Sequence, residues 1–516
     1  MNYVRKTILL ILIATLVRFV IAGTTGLGND EAYYRMFSSH LQWNYFDHPP
    51  MVAWLIRLTT LNLLLDTELF IRLGAIICAA IATWFIFLTG KRLGNERTGF
   101  FAASIYTATL YGSIIAGTFI LPDSPQMVCW TASIYLLTGV TASVQLRNSM
   151  KRELLVFGIV AGLGMLCKVH TIFLWLGFLL FVILYNRRWL KEPVLYLSGA
   201  ITILFFYPVI RWNIDNHFVT FFYHGGRVNI AEGGLDLASF GQFFGGQIFY
   251  LNPVIFVCII IAVVHAFKND LPVSIPHKRI LLLTSLPLII IATIISFFRN
   301  VLPHWSGPGY TGLILLTACY FTSRKKTGTF EKKLFPLPVI IAHGLQLLII
   351  VAGLMAIQFF PGTIGNKDRQ KLGEGDFTLD MFGWNDFARS FEQIYTANKS
   401  MENHSDRTVV LSNKWFPLAH IEHYVAGPLR LPVFASGSLE DIHQYKWINE
   451  EQGGMQDSVS VYVIIPSNYY FDIKEFPILK EKVPAAIFTI PQKRNGEDAR
   501  VFKVYYFKKD KYDLHK

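Results

Sequence analysis

Apolar residues run in long stretches through roughly the first 360 residues of this chain and in short, alternating stretches after that. The long runs fall at about 7–22, 70–89, 99–119, 125–145, 154–167, 170–185, 193–210, 246–266, 280–297, 308–322 and 337–359. A helix needs about 20 apolar residues to cross a hydrocarbon core about 30 Å thick. The runs therefore predict a polytopic α-helical membrane protein of about 11 transmembrane helices, with 154–167 and 308–322 the shortest. The first run follows Arg5 and Lys6 in the manner of a secretory signal. Further apolar runs follow it, so it is read as a retained signal anchor.

After residue 361 the texture changes. Arg407–Ser412, Val459–Pro466, Ala485–Ile490 and Val501–Phe507 are short and rich in Val, Ile, Tyr and Phe, which predicts strands. Phe382–Tyr395 and Phe416–Tyr424 read as helices. The division expected is a membrane-embedded domain over 1–360 and a small α/β domain over 361–516. Two polar stretches interrupt the apolar runs, at about 23–69 and 211–245. The first contains an amphipathic piece, Glu31–Trp43, suited to a membrane interface. The second is rich in glycine, from Gly225 and Gly226 to Gly245 and Gly246, and is expected to make tight turns.

Composition and charge sharpen this picture. Hydrophobic residues make up 53% of the 516 and charged ones only 16%, against about a quarter charged in an ordinary soluble domain. The net charge of +12 could suggest nucleic acid, but its distribution argues otherwise. Residues 1–360 carry 27 Lys and Arg against 14 Asp and Glu, whereas 361–516 carry 20 against 21. The basic excess lies between apolar runs, where topology signals belong, and nucleic acid is rejected as a partner. With the N-terminus in the cytoplasm, 19 Lys and Arg fall in inside loops and 6 in outside loops, with Arg324, Lys325, Lys326, Lys332 and Lys333 in the last inside loop. That orientation, with an odd number of spans, puts residues 361–516 on the extracytoplasmic side. All five cysteines, Cys78, Cys129, Cys167, Cys258 and Cys319, lie in or beside apolar runs, so the C-terminal region has none for a disulfide.

Polar residues able to do chemistry gather on the outside. Asp30, Glu31, Asp47, His48, Asp123, Lys168, His224, Arg227, Arg299 and His304 all fall there, while the apolar runs hold almost no charge besides Arg18 and Arg72. A transporter would be expected to put carboxylates near the bilayer midplane. Acids at the membrane–water boundary suit an enzyme whose substrate has its tail in lipid and its reactive head in water. Taken singly, each residue has a plainer reading. Asp30 could cap a helix, Pro49 and Pro50 could simply stiffen a loop, and outside Lys or Arg commonly anchor at headgroups.

Asn29-Asp30-Glu31-Ala32-Tyr33-Tyr34, followed in the same loop by Tyr45-Phe46-Asp47-His48-Pro49-Pro50, resembles the GT-C glycosyltransferases of the protein mannosyltransferase type. The bacterial branch, which includes the lipid A aminoarabinose transferases, is the most similar. Pro122-Asp123-Ser124-Pro125, Gly164 to Lys168, Tyr223-His224-Gly225-Gly226-Arg227 and Leu302-Pro303-His304-Trp305 fit the same pattern over about residues 1–360. One departure is His48, where the aminoarabinose transferases carry Lys, which puts that phosphate contact in doubt. The resemblance implies a GT-C fold in the cytoplasmic (inner) membrane. It also implies transfer of a sugar from a polyprenyl-phosphate donor to a glycolipid or protein acceptor. Asp30 and Asp47 are the expected catalytic acids. Glu31, His48, Lys168, His224, Arg227, Arg299 and His304 are expected to bind substrate, with Lys168 at the outer surface beside lipid. No cofactor is expected to be required, although the resemblance allows a divalent metal at His224 with Asp47. The alternative reading is a transporter or flippase for a polyprenyl-linked lipid or solute.

Overall fold

The computed structural model describes residues 2–143, 145–323, 335–400, 407–455, 458–510 and 512. The basic loop from Arg324 to Lys333 lies outside the described residues. The helices of the first 360 residues are α1 (Tyr3–Thr24), α2 (Asn29–Ser39), α3 (Met51–Thr59), α4 (Glu68–Leu93), α5 (Glu96–Thr107), α6 (Asp123–Val140), α7 (Asn148–Cys167) and α8 (Ile172–Tyr185). They continue as α9 (Pro193–Asp215), α10 (Val219–Val228), α11 (Leu237–Leu251), α12 (Pro253–Phe267), α13 (Ile275–Ser296), α14 (Tyr310–Ser323) and α15 (Leu337–Phe359). Each apolar run of the sequence holds helix, although the run at 99–119 breaks after α5 at Thr107 and continues only as a π-helical turn, Tyr111–Ile115. By length and composition α1, α4, α9, α13 and α15 can each cross a membrane. The other runs form helices too short or too polar to pass that test singly.

The run at 246–266 is not one straight helix. Helices α11 and α12 meet at a 95° bend. Asn252 adopts a left-handed φ of 70° there, directly before Pro253. A proline disfavours helical geometry in the residue before it and supplies no N–H of its own. Asn252 holds the bend by donating to the carbonyls of Ala108 and Ala342 at 3.2 and 2.8 Å. The glycine-rich stretch is also more helical than expected. Gly225 and Gly226 lie within α10, and Gly241, Gly245 and Gly246 within α11.

The chain separates into two compact units, residues 1–22 with 42–349, and residues 23–41 with 350–516. In the first, small residues let helices approach closely. A Cβ on Gly158 of α7 would stand 2.4 Å from the Ser198 carbonyl oxygen of α9, the close approach that membrane helices favour. Ser198 and Thr202 use the contact to hydrogen-bond the carbonyls of Leu154 and Gly158, at 2.6 and 2.8 Å. The buried Arg18 donates to the Gly112 and Ser113 carbonyls, and Arg72 to that of Ala22. The five cysteines are free.

The second unit is a five-stranded mixed sheet with helices. Its elements are α16 (Trp384–Ser400), β1 (Thr408–Ser412), α17 (Trp415–Ile421), β2 (Val433–Ala435), α18 (Leu439–Ile442), α19 (Tyr445–Glu451), β3 (Val459–Pro466), β4 (Ala486–Arg494) and β5 (Glu497–Asp510). The strand order is β2-β1-β3-β5-β4, with β1 parallel to β2 and β3, and β5 antiparallel to β3 and β4. Every residue of the central β3 is buried, as an apolar strand covered on both faces requires. One face packs Val409, Val461, Val463 and Phe476 together. On the other, Phe387 of α16 stacks on Phe502 at 3.8 Å. Helix α2 belongs to this unit. Its Tyr33 ring lies 4.8 Å from Trp415, and the Leu27 carbonyl accepts from His420 Nε2 at 2.9 Å.

Candidate active site

The first unit holds a cavity of about 330 Å³, whose polar lining is Asn44, Asp47, His48, Lys168, His170, Asn213 and His224. Ile172, Phe173, Val209, Phe221 and Val228 make the rest of the wall apolar. The segment carrying Asp47 is clamped before it reaches the cavity. Tyr45 and Phe46 are buried, and the Tyr45 N–H donates to the His48 carbonyl at 3.0 Å, closing a turn. Asn44 Nδ2 donates to Thr220 Oγ1 of α10 at 2.9 Å, and Phe46 packs on Tyr223 at 4.6 Å. His224 Nε2 lies 2.7 Å from the Asp47 carbonyl oxygen. A carbonyl only accepts, so Nε2 carries the proton and donates. Two buried prolines then lead into α3, so Asp47 and His48 are presented by a stiff turn tied to α10.

Lys168 requires a correction. It ends α7 within protein rather than at a lipid-facing surface, and is only 4% exposed. Its Nζ donates to Asp123 Oδ2 at 2.7 Å, and Asp123 Oδ1 accepts from Tyr111 at 3.0 Å. The physical reason is that an ammonium withdrawn from water needs a counter-ion. Asp123, at the start of α6, supplies it across 45 residues of sequence. An ammonium has three donors, so one goes to Asp123 and two remain for a ligand.

The other expected residues are placed as follows. The Arg227 guanidinium sits 4.9 Å from the centre of the Trp305 ring, and Trp305 lines the cavity. Arg299 Nε donates to the Asn229 carbonyl at 2.7 Å, bracing the segment after α10. Neither Arg299 nor His304 lines the cavity. Asp30 and Glu31 stand in the first turn of α2, in the second unit. Glu31 is buried, and its Oε2 accepts from the Gly28 N–H at 2.8 Å, the role of an acid that closes a helix start.

Burial holds His48 well below the usual histidine range, helped by His224, Lys168, His170 and Arg227. His224 is lowered for the same reason, although its bond to the Asp47 carbonyl pulls the other way. His304 is lowered to about 4, again by burial, with Lys168 and Arg227 opposing the pull of Asp123. All three are therefore neutral imidazoles near pH 7, able to donate or accept but not to act as cations. His224 has Nε2 engaged, and among the described residues no three His, Cys, Asp or Glu side chains group as a metal site. The ligand set at His224 and Asp47 thus falls short of a metal centre.

Sequence reasoning did not single out Asn44, Asn213 and His170. Asn44 and Asn213 are fully buried, yet their amide oxygens have no hydrogen-bond partner among the described residues, and neither has His170 Nδ1. Buried acceptors of this kind are costly unless a ligand or water donates to them. A substrate rich in hydroxyl groups would do so. The only signal for them in the sequence was their nearness to aromatic and acidic positions in outside loops.

A family model described as dolichyl-phosphate-mannose-protein mannosyltransferase matches residues 47–212, the stretch that holds Asp47, His48, Asp123 and Lys168. The lipid A galacturonosyltransferase RgtD of Rhizobium johnstonii is 24% identical over 354 residues, which are 66% of this chain and 73% of that protein. The fold is that of ArnT from Cupriavidus metallidurans. In the apo state the TM-score is 0.63 at 13% identity over 98% of each chain. The structure bound to undecaprenyl phosphate gives 0.59 at 12%, over 96% of this chain and 97% of that one. These likenesses, with the paired acidic motifs, give the chain a GT-C fold and make it similar to membrane glycosyltransferases of the protein mannosyltransferase type and to the lipid A aminoarabinose transferases.

Proposed function

We propose that this protein transfers a sugar from a polyprenyl-phosphate donor to a lipid, glycan or protein acceptor at the outer face of the cytoplasmic membrane, with inversion at the anomeric carbon. The observation that carries the reading is the cavity itself, lined both by apolar side chains such as Phe173, Val209 and Phe221 and by Asp47, His48, Lys168 and His224. An amphiphile with a prenyl tail, a phosphate and a sugar matches that mixture. The excess of Lys and Arg in inside loops supports an extracytoplasmic placement of residues 361–516 and of both acidic motifs.

The roles follow from the chemistry of the donor. Phosphate is a good leaving group near neutral pH, so the reaction needs a base for the acceptor and positive charge on the departing group more than it needs a general acid. Asp30 takes the acceptor hydroxyl proton while that oxygen bonds the anomeric carbon and the carbon–phosphate-oxygen bond breaks. Asp47 orients the sugar. The two remaining Lys168 donors, with Arg227, meet the phosphate, neutral His48 adds a hydrogen bond, and the unprotonated Nδ1 of His224 accepts one from a sugar hydroxyl. Glu31 supports Asp30 by fixing the helix start.

The test is mass spectrometry of glycolipids and glycoproteins from a strain lacking the gene. One missing sugar, restored by the wild-type protein and not by Asp47→Asn, is the expected result. An unchanged set of glycans with an accumulating or misplaced lipid carrier would favour transport instead.

A further inference from the structure

The second unit holds its own cleft, of about 420 Å³, for which the transfer chemistry above has no role. Three segments build it, 373–377, 413–417 at the start of α17, and 468–471. Gly373 and Gly375 have φ of 88° and 82°, a left-handed geometry that glycine adopts without strain. A Cβ on Gly375 would meet nothing within 4 Å, so this part of the wall is open.

Aromatic rings and amides line the cleft beside the charged Glu374, Asp376 and Lys414. Aromatic rings come from Phe377, Phe416, Tyr469 and Tyr470, and Phe377 is 68% exposed. Amide acceptors come from Asn413 and Asn468. Asn468 is only 5% exposed, yet its Oδ1 has no hydrogen-bond partner among the described residues, and the buried Oδ1 of Asn413 has none either. Buried acceptors of this kind are costly unless a water or a ligand donates to them. A ligand that brings several hydroxyl donors and also an apolar C–H face to lay on a ring is a saccharide. A peptide fits less well, because no lining residue lies in a strand that could offer an edge for pairing.

The cleft is tied to α2. Tyr469 OH donates to Asp380 Oδ1 at 3.0 Å and accepts from Asn29 Nδ2 at 3.2 Å. Asn29 is the residue before Asp30. We propose that this cleft is a saccharide subsite, which seats the glycan part of the acceptor beside the helix that carries Asp30. The acceptor role rests on the transfer reading above, whereas saccharide binding stands without it.

The test is saturation-transfer NMR on the full chain in nanodiscs, with glucosamine, glucuronic acid and maltotriose as probes and pentaalanine as control. At least one sugar is expected to bind, with affinity at least tenfold weaker in Phe377→Ala and in Asn468→Ala and within twofold of wild type in Glu392→Ala, an exposed change on α16 outside the cleft. Phe377→Ala changes an exposed ring, so folding is retained, which its thermal midpoint checks. Absence of binding by every sugar, wild-type affinity in both cleft variants, or binding of pentaalanine alone would overturn the proposal. If the wild type transfers no sugar while the cleft variants lose saccharide binding, the transfer reading fails and the subsite stands.

Discussion

Replacing Asp123 by Asn leaves the Lys168 ammonium 4% exposed and without its carboxylate. At the observed 2.7 Å, two unit charges attract by about 6 kcal/mol at an effective dielectric of about 20. Much of that offsets the desolvation of both groups, so the pair as a whole contributes little beyond an apolar replacement. Removing one partner is different, because the survivor keeps its desolvation cost and loses its compensation, a penalty of about 3–5 kcal/mol. D123N and K168M should each lower stability by that amount. The double variant should lose much less than the sum, with a coupling of about 2 kcal/mol or more. Denaturant or thermal unfolding of the detergent-purified protein, run for the wild type and all three variants, measures this directly. If the single losses stay under about 1 kcal/mol and simply add, the pair behaves like an exposed one, and the account of a dry Lys168 is wrong.

Other consequences can be measured separately. His48 and His224 are held below the ordinary histidine value, so the unfolded chain takes up protons first as pH falls through about 6.5. Stability should therefore drop between pH 7.5 and pH 5, and H48Q should make that drop shallower in thermal melts. Asp380 runs the other way, because burial raises it to about 6 from an ordinary 3.8. The folded state then holds the extra proton between those values, stability falls as pH rises through the window, and D380N should flatten the curve. Asp376 and Arg494 form a fully buried pair at 2.9 Å, with Arg494 also donating to the Gly362 carbonyl. D376A should cost about 3–5 kcal/mol, read as a loss of apparent thermal midpoint.

What the sequence revealed, and what it hid, follows from the range of the interactions. Apolar runs and alternating strands are local, so the helices of the first 360 residues and β1, β3, β4 and β5 stood out. Strand β2 is three residues long, too short for any period to show. The bend at Asn252 had a local sign in Asn-Pro, but the preceding apolar residues overrode it. That α2 packs with α17 of the second unit could not be read at all, because the contact between Tyr33 and Trp415 spans most of the chain. The site shows the same division. Asp47, His48, Lys168 and His224 could be chosen for their chemistry and placement, and they line one cavity. The partner of Lys168 could have been suspected. A carboxylate after Pro122 at the head of an apolar helix needs a cation, yet nothing local names which one. The orphaned oxygens of Asn44 and Asn213 depend on burial alone, and burial of a single amide leaves no trace in the sequence.

The most direct test follows the donor itself. Purified protein in vesicles is mixed with a polyprenyl-phosphate sugar and a membrane glycolipid extract, and free polyprenyl phosphate and glycosylated product are quantified together. The account predicts that the two appear in equal amounts, that the new bond has the opposite anomeric configuration, and that D30N and D47N each lower the rate by at least a hundredfold. Donor that crosses the vesicle membrane intact, with no new glycosidic bond and no effect of either substitution, would contradict it.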